Sequence, residues 1–430
     1  MSKKNVSRRT FIKCAGVAIA SPLVVPRSVF GDEQKAAPSE RVVYGHIGIG
    51  NQGRHLSRNF ATVKEGQCVA IADCFKSRRE NAARACNGTA YADFREMLSR
   101  DDIDCVIVAT PDHWHIPIGL AAARAKKSVY IEKPLGLTIA QDILCEKVFK
   151  DQGVRFQYGT QQRSQRHCWL GCQLVRQGVI GKVKKIEVDA PNGHGGGSLA
   201  EAEIPADLGK DGFEMWTGPS PIKPYSNGRC APDGTYMVYD FSIGYLAGWG
   251  AHPLDIMVWG SEADLSGTVI VEGTGEYKPN ELCSAVFNWN MKIKLGDVDL
   301  TFKHGGDRTR FIGEDNSWIE VRRGGTTASN PDLLKTPIKE DEKTLKFNGD
   351  DRYRGGGNHY RDFLLGVRDK TTPVSTLKDA VRSDTISQLC DIAVRTKSVV
   401  KWDSSKLALI DPTPEQTAML DRPMRAPWTL

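Results

Sequence analysis

Lys133 closes the apolar run SVYIEKP (residues 128–134), and His252 opens the segment AHPLD (residues 251–255). A lysine at the carboxyl end of a parallel strand sits where ligands bind in open α/β sheets. Its charge there can polarise a carbonyl or stabilise an alkoxide. A histidine near its ordinary pKa is the side chain best suited to moving a hydroxyl proton at neutral pH. A third chemical feature is the turn Gly48-x-Gly50-x-x-Gly53, entered directly from the apolar segment RVVYGHIG. Its glycines supply a tight turn, close approach of backbone to a pyrophosphate, and close packing of helix on strand. The N–H groups at the helix start then face the phosphates. A second apolar strand, CVAIAD, ends at Asp73, twenty residues after Gly53. A carboxylate there accepts the adenosine ribose hydroxyls and repels a 2′-phosphate, which favours NAD. Lys76, Arg78 and Arg79 follow closely, so NADP stays open.

Such groups need a scaffold. DCVIVATP (residues 104–111) and SVYIEKP are unbroken apolar strands between helical stretches, the pattern of a parallel sheet covered on both faces. Thr138 with Gln141 resembles a capping box opening a helix that carries Ile139, Ile143 and Val148 on one side. VRFQYGTQQR supplies a sixth strand and closes the unit near residue 160. Beyond residue 180 the period changes. Phe287, Trp289, Met291, Ile293 and Leu295 alternate with Asn288, Asn290, Lys292 and Lys294, as a half-buried antiparallel strand does. KKIEVDA, GTVIVEG, DLTFKH, TRFIGE and WIEVRR read as its companions. The expected fold is α/β: a Rossmann-type doubly wound parallel sheet over residues 41–160, then an α+β domain over 161–430 with a large open, mostly antiparallel sheet.

Composition narrows the partners. A chain of 430 residues is too long for one ordinary core. The net charge of +6 resides in residues 1–31, which hold six basic residues and no acid. Taking these six from the 58 basic residues leaves 52, equal to the 52 acidic ones, so nucleic acid is not an expected partner. Ser7–Lys13 (SRRTFIK) and the short apolar run after it read as a twin-arginine export signal, with a cut after Gly31 and a linker over 32–40. An ordinary secretion signal or a chance arginine pair is the alternative. The run is too short to span a membrane, so the protein is expected in the periplasm and not as an integral membrane protein. The 11 cysteines are scattered without a CxxC and read as free thiols. His113 and His115 lack a companion at ligand spacing, so no metal is expected. His194, in the glycine-rich NGHGGGS, reads as a loop residue.

GIGNQG, ATPDHWH and above all EKPLGLT resemble the Gfo/Idh/MocA oxidoreductases, and the resemblance runs from residue 41 to the C-terminus. It implies NAD(P)-dependent hydride transfer on a sugar, polyol or glycoside, in a homo-oligomer. Gly48, Gly50, Asn51, Gln52, Gly53, Asp73, Thr110, Pro111, His115, Glu132 and Lys133 would hold the cofactor, with Lys133 beside the nicotinamide. His252 matches the catalytic histidine, but Gly248 stands where the family's Asp-x-x-x-His has aspartate. Asp255 or Asp240 would then orient His252. Gln162 and Arg163 after strand six, with Asp240 and His359, are candidate substrate contacts, and Tyr245 and Trp249 could stack on a sugar ring. Export away from the NAD pool suggests a tightly held, recycled cofactor. In some exported members of the family, transient C3 oxidation drives glycoside cleavage or elimination, an alternative net reaction. A non-catalytic nucleotide or sugar sensor is the third.

Overall fold

The structure, a computed structural model, describes residues 36–37, 40–193, 198–230, 234–261, 267–279, 281–341, 343–347 and 357–430. The leader at 1–31 and His194 lie outside the described residues.

Short apolar runs build the first half. Strands β1 (Val42–Ile47), β2 (Gly66–Ala72), β3 (Thr89–Tyr91), β4 (Cys105–Val108), β5 (Ser128–Ile131) and β6 (Phe156–Tyr158) form one sheet in the order β3-β2-β1-β4-β5-β6. Every pairing in it is parallel. β4 and β5 are buried at every position, which is why their sequences show no polar alternation. Helices α1 (Asn51–Ala61), α2 (Lys76–Cys86), α3 (Phe94–Leu98), α4 (His115–Arg124) and α5 (Ile139–Gln152) make the connections. Strand order reverses between β1 and β4, so a crevice opens at their carboxyl ends. The capping box expected at Thr138 is half formed. Its Oγ1 accepts from the Gln141 N–H at 3.3 Å, but the Gln141 side chain takes the Leu137 N–H instead, at 3.1 Å.

After α6 (Arg166–Arg176) comes a nine-stranded sheet in the order β13-β12-β11-β7-β10-β9-β8-β14-β15. Its strands are β7 (Val183–Ala190), β8 (Thr268–Glu276), β9 (Asn288–Leu295), β10 (Val298–His304), β11 (Arg308–Gly313), β12 (Trp318–Arg322), β13 (Gly325–Ala328), β14 (Val400–Asp403) and β15 (Ala408–Leu409). The β7–β10 pair is parallel and the rest are antiparallel. β9 keeps the alternation of its sequence: Trp289, Met291, Ile293 and Leu295 are buried, while Asn290, Lys292 and Lys294 are exposed. Helices α7 (Gly209–Thr217), α8 (Ala251–Gly260), α9 (Gly357–Asp369), α10 (Leu377–Thr396) and α11 (Pro414–Ala418) complete the domain. α6, α8 and α10 share one hydrophobic core with the buried face of the sheet.

Two helices cross the boundary expected near residue 160. α9 lays Tyr360, Phe363 and Leu364 against Tyr44, Phe60 and Tyr130 of the first sheet and its helix α1. α10 offers the Asp384 carboxylate to the Leu135 N–H (2.5 Å) and the Tyr158 hydroxyl (2.7 Å). The ten described cysteines are free thiols, most of them buried. Among the described residues no helix is long and apolar enough to cross a membrane.

Candidate active site

The crevice deepens into a cavity of about 850 Å³ whose wall runs from Gly48, Gly50 and Asp73 at one end to Lys133, Trp249 and His252 at the other. At the first end, each glycine has a different reason to lack a side chain. Gly48 adopts φ +90°, and a Cβ there would stand 2.6 Å from the Ala109 carbonyl oxygen. A Cβ on Gly53 would stand 2.0 Å from the Gly48 oxygen, so helix α1 can approach β1 only without one. A Cβ on Gly50 would meet nothing within 4 Å. Its bareness keeps the start of α1 open to the cavity, where Gly50 caps the helix with no side-chain acceptor. The N–H groups of that first turn are left for an anion.

At the end of β2, the Asp73 carboxylate accepts the Ile49 N–H at 2.6 Å and the Phe75 N–H at 2.8 Å. Burial pushes its pKa up against these bonds and the charges of Arg78 and Arg79. Arg78 also lines this corner, its guanidinium 3.8 Å from the Phe75 ring centre. Thr110 lines the cavity with a buried hydroxyl that has no partner. A glycine cradle, an uncapped helix start, a ribose-reading carboxylate and an orphan hydroxyl fit a dinucleotide.

At the other end Lys133 follows β5 directly. Glu132 before it accepts from Gln52 Nε2 (2.9 Å) and Gln161 Nε2 (2.9 Å), with the Tyr130 hydroxyl at 3.4 Å. The Lys133 ammonium lies 5.4 Å from the Tyr236 ring centre. His252, in the first turn of α8, meets the Trp249 ring edge-on at 6.0 Å. Burial first, then the charges of Arg323 and Lys133, hold its pKa well below the ordinary value. Its Nδ1 is buried without a partner among the described residues. A Cβ at Gly248 would stand 3.3 Å from the Tyr236 ring, so an aromatic wall occupies the side where an orienting aspartate would project.

Of the residues expected here, the cavity gathers Gly48, Gly50, Asn51, Gln52, Asp73, Thr110, Pro111, His115, Glu132, Lys133, Tyr245, Trp249 and His252. Gly53 acts behind the wall, as a packing residue. His115 turns Nδ1 to the Pro134 carbonyl (2.6 Å) and Nε2 to the Thr110 carbonyl (2.9 Å), and the neutral ring donates to one of them.

Five expectations need correction. Asp255 does not orient His252: both its oxygens take Arg163, at 2.7 and 2.6 Å, in a pair sealed from solvent. Arg163, bound also to Asp379 at 2.9 Å, is for the same reason no substrate contact. Asp240 pairs with Lys223 and Arg229 and is not part of the wall. His359 is sealed between the Ser164 hydroxyl and the Tyr158 carbonyl. Gln162 is buried and turns to Asp307 at 3.4 Å. The sequence reading missed Arg323, Tyr236, Gln165 and His55, all of which line the cavity. Arg323 stands in the RRGG turn between β12 and β13, a hairpin signal that does not say what the turn leans over. No three His, Cys, Asp or Glu side chains stand close enough to hold a metal among the described residues.

Residues 42–160 match the Gfo/Idh/MocA family's NAD-binding Rossmann fold, and residues 172–430 match that family's C-terminal alpha/beta domain. The chain belongs to the Gfo/Idh/MocA oxidoreductases. NAD is thus the cofactor class of the N-terminal domain. A relative from Shewanella baltica described as a glycosyl hydrolase family 109 protein is 26% identical over 219 residues, 42% of this chain and 44% of the relative. The chain thus spans under half the length of the curated relatives that it matches. Among solved structures, a levoglucosan dehydrogenase in complex with NADH and L-sorbose superposes with a TM-score of 0.63 at 14% identity, over 84% of this chain and 99% of the other. The Lactobacillus casei scyllo-inositol dehydrogenase, with NAD(H) and scyllo-inositol bound, superposes at 0.58 and 17%, over 84% and 99%. At these identities the likeness is one of fold.

Proposed function

We propose that this family member is an NAD-dependent enzyme that oxidises a hydroxyl group of a sugar, polyol or glycoside. One observation carries the reading. The wall that begins at the glycine turn and Asp73 ends at a lysine ammonium and a neutral imidazole, with a tryptophan and a tyrosine beside them. Gly48, Gly50, Asn51 and Thr110 would hold NAD along α1, where it would supply the hydride acceptor. His252 takes the hydroxyl proton, for which its neutral form is the competent one. Lys133 stabilises the negative charge that grows on the oxygen. Glu132, tied down by Gln52 and Gln161, anchors the backbone from which Lys133 projects. Trp249 and Tyr245 give the ring an apolar face.

Export and location in the periplasm complete the proposal. With no NAD pool there, the cofactor would stay bound, and the carbonyl of a second sugar, reduced to its alcohol, would take the hydride back in each cycle. The homo-oligomer forms through the open face of the nine-stranded sheet, where Lys292 and Lys294 are exposed. A second reading, glycoside cleavage through transient oxidation, is favoured by the match to a glycosyl hydrolase family 109 protein.

Mass spectrometry of the native protein for bound nucleotide, then a glycoside panel scored for both NADH absorbance and released sugar, tests these readings. Sugar release without net NADH selects the second. The Lys133→Met variant should lose hydride transfer by at least a hundredfold while binding NAD nearly as before. Unchanged turnover would remove Lys133 from the mechanism.

A further inference from the structure

We propose that the substrate carries a carboxylate, and that Arg323 is the residue that reads it. The inference rests on the carbohydrate reading above and narrows its substrate class to sugar acids. Arg323 occupies the turn between β12 and β13, at the cavity wall with Trp249, Lys133 and His252. That turn is pinned from behind: the His167 ring contacts the Arg322 and Arg323 carbonyls at 3.1 Å each, and Thr326 Oγ1 donates to the His167 carbonyl at 2.6 Å. The side chain is pinned as well. Its Nε donates to Asp307 Oδ2 at 2.9 Å, and its guanidinium lies 5.1 Å from the Trp249 ring centre.

Both Nη groups have no hydrogen-bond partner among the described residues. A guanidinium fixed through Nε and stacked on an aromatic ring presents its outer edge as a two-pronged donor, the shape that pairs with a planar carboxylate. Asp307 does not remove this capacity, because it lies off the wall and is shared with Gln162.

Charge at this end points the same way. At this end of the wall the cations are Lys133 and Arg323, and the one carboxylate on the wall there, Glu132, is taken by Gln52, Gln161 and the Tyr130 hydroxyl. A neutral polyol would cover Arg323 without supplying an acceptor of matching charge, which costs binding. A sugar acid supplies one. Arg323 keeps 44% of its side chain exposed, whereas His252 is 5% exposed. The carboxylate therefore sits towards the mouth and the reacting hydroxyl deeper, between Lys133 and His252.

The test uses the full chain loaded with NAD. Uronic and aldonic acids, their neutral parent sugars, and the corresponding phosphate and sulfate esters are compared by kcat/KM. Calorimetry on the NADH-loaded protein measures binding of the same compounds. The sugar acids should exceed their neutral parents at least tenfold, less so at high salt. Arg323→Met should cost the acids roughly 10- to 100-fold, chiefly through KM, and at least tenfold more than it costs the neutral parents. Arg323→Lys should restore only part, since a point charge lacks the fork. Equal use of neutral and acidic sugars, a preference for phosphate or sulfate esters, or equal losses in Arg323→Met would each overturn the proposal. If nothing turns over but sugar acids bind in an Arg323-dependent way, the hydride-transfer reading fails and this one stands.

Discussion

His252, the proposed base, stands without the carboxylate that usually accompanies a catalytic histidine. Its Nδ1 meets no acceptor, Gly248 offers none, and Asp255 is spent on Arg163. What shapes it instead is burial together with the charges of Arg323 and Lys133, all of which penalise the imidazolium. The sign of the consequence is fixed. A base whose pKa lies below 6.5 is neutral and competent throughout the neutral range and is lost only when acid protonates it. The kcat/KM profile should therefore stay flat across the neutral range and fall only in acid, below pH 6.5. Arg323→Met removes one of the opposing charges and should move that acid limb upward. His252→Asn should lower kcat by roughly 10²- to 10⁴-fold with stability little changed. A limb near pH 7 in the unaltered protein would mean that some other group is titrating.

Among the elements, the ion triad around the buried Arg163 is the joint that ties three segments together. Arg163 leaves the turn after β6, Asp255 comes from α8, and Asp379 from the first turn of α10. All three segments end at one guanidinium, and both Arg163 and Asp255 are 1% exposed. Removing Asp255 leaves the buried Nε and Nη2 of Arg163 without acceptors, Asp379 satisfying Nη1 alone, so Asp255→Ala should destabilise the protein by about 3–5 kcal/mol in chemical denaturation. The acid limb of the activity profile should not move. A shifted limb with intact stability would instead make Asp255 the partner of His252. The sequence misled here because a carboxylate three residues after a histidine on a helix looks like its neighbour, whereas the true partner lies 92 residues away. Legible features were local in cause. Gly48 answers the positive φ of its own turn and Gly53 the Gly48 carbonyl beside it, β9 alternates because one face is buried, and β4 and β5 are unbroken because both faces are. β3, β13, β14 and β15 were not read, none of them longer than four residues. Arg323 was invisible for a related reason: a hairpin announces its turn, not the space that it overhangs.

At the scale of the molecule, the chain does not divide cleanly at residue 160. The outer cover of β1 and β5 includes α9, whose Phe363 is fully buried and meets the Phe60 ring edge-on at 6.4 Å and the Tyr130 ring at 5.9 Å. α10 then ties both halves together, with Asp384 bonded to the loop after β5 and Val394 packed 2.9 Å from the place a Cβ would take at Gly275 of β8. A nucleotide domain that borrows its cover from 200 residues downstream cannot finish its core alone. Two consequences follow from that dependence. Full-length protein should unfold in a single transition, with far-ultraviolet dichroism and tryptophan fluorescence superimposing, and bound NAD should shift the whole curve rather than one part of it. Phe363→Ala should lower its stability by about 3–5 kcal/mol, because the hole it leaves lies in a rigid aromatic cluster. A fragment covering residues 36–165 should expose Tyr44, Phe60 and Tyr130, bind hydrophobic dyes and aggregate. If that fragment is a monomeric, cooperatively folded NAD binder, or if the intact chain melts in two steps with the nucleotide half surviving, α9 is an ornament on a self-sufficient domain and the coupling drawn from its packing is wrong.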